Sequence, residues 1–260
     1  MIYDKNYFFT ECEGYKTFLS SKGLKLSRRL LKIYNKTIEL KPKRVLDFGC
    51  GRGELALNLA LNWIETFAAD SSKDAIEISN QIKNYWKKTN PDLKLEFIKT
   101  DGYTLPFQND FFDSVILSDV IEHLKPEECD LIMKEIYRVL KKGGYVLIHT
   151  SPNKIFINWG LKIYWLIGVF NGIKLPFKMK SMLPKGLGND YHINEQTSFS
   201  LKKLLKKNGY KNINMEFWKN PHYVYYFLKE DKYIKIINKI YKFIPVKHLF
   251  FADIFASAQK

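Results

Sequence analysis

The stretch Val45-Leu46-Asp47-Phe48-Gly49-Cys50-Gly51-Arg52-Gly53-Glu54 decides the fold. Its apolar start reads as a buried strand, and the apolar residues from Leu55 onward read as a helix over 55–62. The chain must turn sharply between the two, and glycines allow this because they lack a Cβ and reach positive φ. Such a corner is either a plain connection or a cradle that brings backbone close to a ligand. The spacing is G-x-G-x-G, and a dinucleotide fingerprint would place its last glycine where Glu54 stands. A carboxylate at that helix start opposes a pyrophosphate, so NAD and FAD are disfavoured. A ligand without phosphate that carries cationic groups is favoured.

Working outward, strands are expected at 44–47, 66–69, 93–99, 114–118 and 145–150. Helices are expected at 24–39, 55–62, 73–88 and 127–142. Ser71 and Asp74 are spaced as an N-cap pair for the third of these. The fourth begins near Pro126 and is stopped by Gly143-Gly144. Strands that alternate with helices imply parallel crossovers, hence a doubly wound sheet with ligands at the strand C-terminal ends. After Thr150 the pattern loosens. Residues 152–189 are aromatic and apolar, a helix follows at 201–207, and late strands fall near 213–218 and 254–258. A further helix is expected at 232–244.

Two acids follow strands. Asp70 lies 23 residues after Asp47, a spacing that suits a carboxylate accepting from a ribose diol. Standing alone before Ser71-Ser72, it would also read as a turn or cap residue. Asp101 follows the third strand, where it could accept from an exocyclic amine, and Gly102 would let an aromatic ring lie close. A simple turn is the other reading of that pair.

VLDFGCGRGELA, the acid at Asp70, TDGYTLPFQNDFFDSVILSDVIEHL and EIYRVLKKGGYVLIHTSPN together resemble the successive motifs of the class I S-adenosylmethionine-dependent methyltransferases. The style is that of the ubiquinone/menaquinone C-methyltransferase-like small-molecule branch. The resemblance implies an α/β fold: a Rossmann-like, seven-stranded, mostly parallel sheet with helices on both faces and a helical lid insertion. It implies one domain over 1–260, with an N-terminal helical segment (1–40) and a cofactor-binding core (41–153). Lid insertions would occupy 154–190 and 219–250, and the C-terminal helix and strands 191–218 and 251–260. S-adenosyl-L-methionine is the implied cofactor. Asp47, Gly49, Gly51 and Gly53 would hold its methionine end, Asp70 with Ser71 its ribose, and Asp101 with Gly102 its adenine. Ser118 and Asp119 would lie beside the methyl group.

A general base is needed only if the acceptor must lose a proton. Asp119, His123 and His192 are the catalytic candidates, with Glu122 and Tyr191 nearby in sequence. Each histidine could equally be a satisfied structural residue. The five histidines show no ligand spacing, so no metal is expected. Cys12, Cys50 and Cys129 form no C-x-x-C pair, which fits a reducing cytoplasmic compartment. The net charge is +15, yet only five of the 42 basic residues are arginine, which weakens a nucleic-acid reading. The expected acceptor is a small molecule, lipid-like or isoprenoid. RNA or protein methylation and a non-catalytic binding module are the alternatives. In 232–244 the lysines 232, 235, 239 and 242 share one side and apolar residues the other. With the apolar run 155–177 this segment could form a lid that meets the inner membrane surface, or it could pack on the sheet and leave its lysines in water. The sequence leaves the oligomeric state open.

Overall fold

The computed structural model describes residues 3–12, 14–170, 192–218, 249 and 251–260. Tyr191, the helix expected at 232–244 and most of both expected lid insertions lie outside the described residues. The chain starts with a π-helical turn, Tyr7–Glu11, and helix α1, Tyr15–Ser21. Helix α2 covers Arg28–Glu39 and strand β1 Arg44–Phe48. Helix α3 (Glu54–Leu61), strand β2 (Glu65–Asp70), helix α4 (Lys73–Lys87) and strand β3 (Leu95–Lys99) follow. Strand β4 (Phe112–Ser118) leads through a 3-10 turn, Ile121–His123, to helix α5 (Pro126–Val139) and strand β5 (Leu140–Thr150). A π-helical turn, Phe156–Gly160, runs into helix α6, Leu161–Phe170. Helix α7 (Ser198–Lys207) and strands β6 (Lys211–Trp218) and β7 (Asp253–Gln259) complete the described elements.

The seven strands form one sheet in the order β3-β2-β1-β4-β5-β7-β6. β7 pairs antiparallel with β5 and with β6, and the other pairs are parallel. Side chains alternate across the central strands, so both faces are apolar. Leu46, Val115, Leu117, Val146 and Ile148 pack with Ile132, Met133 and Ile136 of α5 and Leu201 and Leu205 of α7. Val45, Ile116 and Leu147 point the other way, onto Leu30 and Ile33 of α2 and Leu55 and Leu59 of α3. Each such side chain withdrawn from water is worth about 1.5–3 kcal/mol.

The doubly wound sheet is as expected, and three local readings are corrected. α2 starts at Arg28, not 24, because the extended Ser27 caps it, its Oγ accepting from Leu30 N. Ser72, not Ser71, caps α4 by accepting from Ala75 N at 3.2 Å. α5 ends at Val139, before the glycines. There the backbone is captured by the approach to β4: Asp110 N donates to Arg138 O and Phe111 N to Val139 O. The next residue, Leu140, already pairs with Phe112, and regular pairing resumes at Ser114 with Tyr145. Lys141–Gly144 face Asp113 alone in this bulge. No described helix is long and apolar enough to cross a membrane.

The bulge makes a contrast between its two glycines. Gly143 has φ +77° and open space where a Cβ would stand, so Gly143→Ala should cost about 1–2 kcal/mol through the backbone alone. A Cβ on Gly144 would stand 2.8 Å from Asp113 O and 2.9 Å from Lys141 O. Gly144→Ala should cost about 1–3 kcal/mol and push β4 from β5. Denaturant unfolding reads the costs, and amide exchange around Ser114 and Tyr145 should speed up only in the Gly144 variant. Equal protection in the two variants would refute this packing.

Candidate functional site

Four strand ends meet at one edge of the sheet, beside the β1/β4 switch point. After β1 the turn is tied to β2, with Gly49 N and Cys50 N both donating to Ala69 O, at 2.8 and 3.1 Å. Gly51 N donates to Asp70 Oδ2 at 2.9 Å, and Ser72 N donates to Asp70 Oδ1 at 2.8 Å. Gly49, Gly51 and Gly53 all have positive φ. A Cβ on Gly49 would stand 2.4 Å from Val120, and one on Gly53 2.6 Å from Phe97. A Cβ on Gly51 would meet, among the described residues, Phe8 at 3.6 Å. The turn is therefore packed on both flanks and offers its middle glycine to the N-terminal segment.

The charges here are mostly acidic and buried. Burial, then the charges of Glu54 and Asp70, push the Asp47 carboxyl up to about 7, against the pull of the Ala56 amide. Burial also raises Asp70, opposed by the amides of Ser72, Gly51 and Ser71. Glu54 is not a bare charge: Arg52 meets it at 2.7 Å, and both side chains are buried. The carboxyls that oppose a pyrophosphate here are therefore Asp47 and Asp70, not Glu54. Arg52 also donates to Phe8 O at 3.0 Å and Cys12 O at 3.4 Å. Tyr3 O accepts from Ser72 Oγ, and Lys5 N donates to Asp74. These bonds strap residues 3–12 across the glycine turn and the start of α4.

After β3, Asp101 is exposed, and its Oδ1 accepts from Tyr103 N at 2.8 Å and Thr104 N at 2.7 Å. Those amides, Thr104 first, hold its carboxyl below the usual range. Gly102 has φ +85°, and its missing Cβ would lie 3.8 Å from Ser71. Ser71 and Gly102 therefore face each other across a narrow gap between the β2 and β3 ends.

After β4, Ser118 Oγ donates to Asp119 Oδ2 at 3.2 Å. Asp119 sits in the left-handed region with φ +54°. One of its oxygens is ion-paired with Arg29 of α2, and the other lies 2.8 Å from His149 Nδ1. Such an engaged carboxylate braces α2 against β4 and β5. His149 is fully buried, and its Nε2 lies 3.7 Å from Asp253 of β7. Sequence reasoning did not single it out; the available signal was a polar residue inside the apolar run of β5.

Glu122 is wholly buried, accepting from Thr150 Oγ1 at 2.9 Å, and burial raises its carboxyl. Its carbonyl accepts from both Ile193 N and Asn194 N at 3.0 Å. That pairing sets His192 beside His123, with ring centroids 4.9 Å apart at 57°. Burial first, then His123, lowers His192 to about 4. The Tyr3 ring meets His123 edge-on at 5.8 Å. The fold thus brings the glycines, Asp47, Asp70 and Ser71 together, with Asp101, Gly102 and Ser118 on the adjoining strand ends and His123 and His192 beyond β4. The Gly49–Gly53 cradle, walled by Val120 and Phe97 and lined by acids, fits a cofactor with a cationic methionine end.

A methyltransferase-domain family profile matches residues 20–214. The chain is 32% identical over 130 residues to a fatty-acid O-methyltransferase of Mycolicibacterium smegmatis, covering 49% of this chain and 45% of that protein. It is 30% identical over 128 residues to a demethylmenaquinone methyltransferase of Clavibacter sepedonicus, covering 47% of each. It therefore spans about half the length of these curated relatives. A solved SAM-dependent methyltransferase from Archaeoglobus fulgidus shares the fold with a TM-score of 0.59 at 21% identity, over 94% of this chain and 99% of that one. The profile match runs from α1 into β6 and takes in every strand end of the cradle, so the chain belongs to the class I methyltransferase-domain family, with S-adenosylmethionine as its cofactor.

Proposed function

We propose that this chain transfers a methyl group from S-adenosylmethionine to a small, lipid-like acceptor. The observation that carries the reading is the glycine turn held to Asp70 at 2.9 Å, with the paired imidazoles of His123 and His192 beyond the β4 exit. When bound, S-adenosylmethionine supplies a sulfonium methyl open to in-line displacement, so positioning can provide much of the rate. Asp47 and the Gly49–Gly53 turn hold the methionine end. Asp70 and Ser71 take the ribose, and Asp101 and Gly102 the adenine. Ser118 lies on the methyl side, with Asp119 holding the β4 exit in place. His123 and His192 line the acceptor side.

Two observations support an apolar acceptor. The similar proteins from Mycolicibacterium smegmatis and Clavibacter sepedonicus are named for fatty-acid and menaquinone chemistry. On this chain, Trp159, Leu166, Val169 and Phe170, in and just before α6, are exposed. A peripheral membrane contact through this region belongs to the same proposal. The test is a labelled-cofactor screen against lipid extract, total RNA and a metabolite pool. Label should enter the lipid extract; transfer to RNA alone would overturn the acceptor class.

For Asp70, removal of a charged acceptor should cost about 1.5–3 kcal/mol, or roughly ten- to a hundredfold in affinity. Calorimetry with S-adenosylhomocysteine should show that loss in Asp70→Ala and no binding of NAD by the native chain. Unchanged affinity in a folded variant would remove Asp70 from the site.

The Asp47 carboxyl, at about 7, takes up a proton in the free chain as pH falls below that value. A cationic ammonium beside it favours the ionised form, so binding below pH 7 must expel the proton. Affinity for S-adenosylhomocysteine should fall by up to about tenfold per pH unit below 7. Calorimetry between pH 6 and 8 should show this slope in the native chain and a flatter one in Asp47→Asn. A flat native profile would separate Asp47 from the ligand's charge.

A further inference from the structure

Histidine spacing along the sequence shows no metal pattern, but the fold assembles one. Among the described residues, Glu122, His123 and His192 each offer one ligand atom, and these atoms all lie within 4.8 Å of one another. The grouping is built into the backbone. Glu122 and His123 are neighbours in the turn after β4, and the two amides that follow His192 both donate to the Glu122 carbonyl. Asn194 adds a side-chain bond to Ile121 O at 3.4 Å.

Two features point to a ligand beyond the grouping itself. His192 Nδ1 is buried and has no hydrogen-bond partner. An orphaned ring nitrogen costs about 1–3 kcal/mol if nothing engages it. Glu122 is supported as a metal-binding carboxylate should be, with Thr150 Oγ1 on one oxygen and Ser151 N, at 3.4 Å, on the other. With the Glu122 amide as a third donor, the carboxylate keeps at least one of its four lone pairs open. The two imidazoles are tilted rather than stacked, so their nitrogens can converge.

We propose that Glu122, His123 and His192 bind one divalent transition-metal cation of the zinc class. Two imidazoles and one carboxylate suit zinc, cobalt or iron(II). Ligand atoms about 2.1 Å from one tetrahedral ion lie about 3.4 Å apart. Atoms as far apart as 4.8 Å must therefore close by about 1.4 Å, as the two imidazole rings turn toward the ion. Three protein ligands leave a position for an oxygen of the acceptor, beside the methyl side of the cradle. That role rests on the methyl-transfer reading above; the binding itself does not.

The test uses the full chain, stripped with a chelator and dialysed, then titrated with cobalt(II) while its visible d–d absorption is followed. One cobalt per chain is expected, with zinc displacing it. His192→Ala and His123→Ala should each weaken cobalt binding by roughly tenfold or more, since even a supporting partner is worth that much. Circular dichroism and S-adenosylhomocysteine calorimetry on the same samples establish that the variants are folded. Because Glu122 is buried, Glu122→Gln serves as the conservative third variant and should weaken cobalt in the same way. Absence of stoichiometric cobalt in the native chain, or equal affinity in both histidine variants, would overturn the site. Native chain that binds S-adenosylhomocysteine without cobalt sinks this inference alone. Cobalt binding without S-adenosylhomocysteine leaves the metal site standing and sinks the cofactor reading.

Discussion

The hydrogen bond from Gly51 N–H to the Asp70 carboxylate is the constraint on which the site depends. It joins the first crossover to the end of the second strand. β1 lies between β2 and β4 in the sheet, so the connections leaving β1 and β4 diverge and open a crevice. The turn after β1 has to stay in that crevice without filling it. Gly49 achieves this only because no Cβ stands where Val120, just past β4, already packs. A side chain at Gly49 would drive the exits of β1 and β4 apart.

The electrostatic design follows from the same crowding. Glu54 spends its charge on Arg52, and Arg52 in turn holds the N-terminal strap. What is left near the turn is Asp47 and Asp70, which accept from main-chain amides of Ala56 and of Gly51, Ser71 and Ser72. Keeping Asp47 ionised costs the free chain stability. The native state holds a proton there that the unfolded chain releases in the ordinary carboxylate range. By linkage, the cost sets in as pH rises from that range to about 7. A cation bound beside Asp47, as in the proposed cofactor site, would offset that cost.

How much of this was legible depends on whether a feature is local. The strand-turn-helix at Val45–Glu54 could be read because glycine spacing, apolar runs and the following helix occupy contiguous residues. The seven-strand sheet and its one reversed strand followed from the resemblance those motifs carry. Other features depend on contacts that spacing does not encode. Ser71 and Ser72 are both competent caps, and the choice of Ser72 is made by its extended backbone and by Asp70 gripping its amide. Gly143-Gly144 looks like a helix stop, but pairing with β4 takes the chain a few residues earlier. The ion pair of Glu54 with Arg52 was within reach of the sequence, two residues apart, yet it needed burial to become binding.

The acceptor side shows the same division more sharply. Asp119, read from the sequence as a candidate base, lies between Arg29 and His149, drawn from a helix and a strand far apart in the chain. Ionised carboxylates held in this way are poor proton acceptors, because the partners stabilise the charged form. Their value lies in rigidity: α2, β4 and β5 are locked at the point where the chain leaves β4. Past that lock, the Ile121–His123 turn and the 192–194 segment are joined backbone to backbone through the Glu122 carbonyl. A side chain mounted on two main-chain bonds has little freedom to lose when it meets a substrate or an ion, and the cost of ordering it is met by the fold. In the proposed site the acceptor side is therefore formed by imidazoles one turn beyond the strand-end aspartate, where geometry is fixed by main chain and not by spacing in sequence.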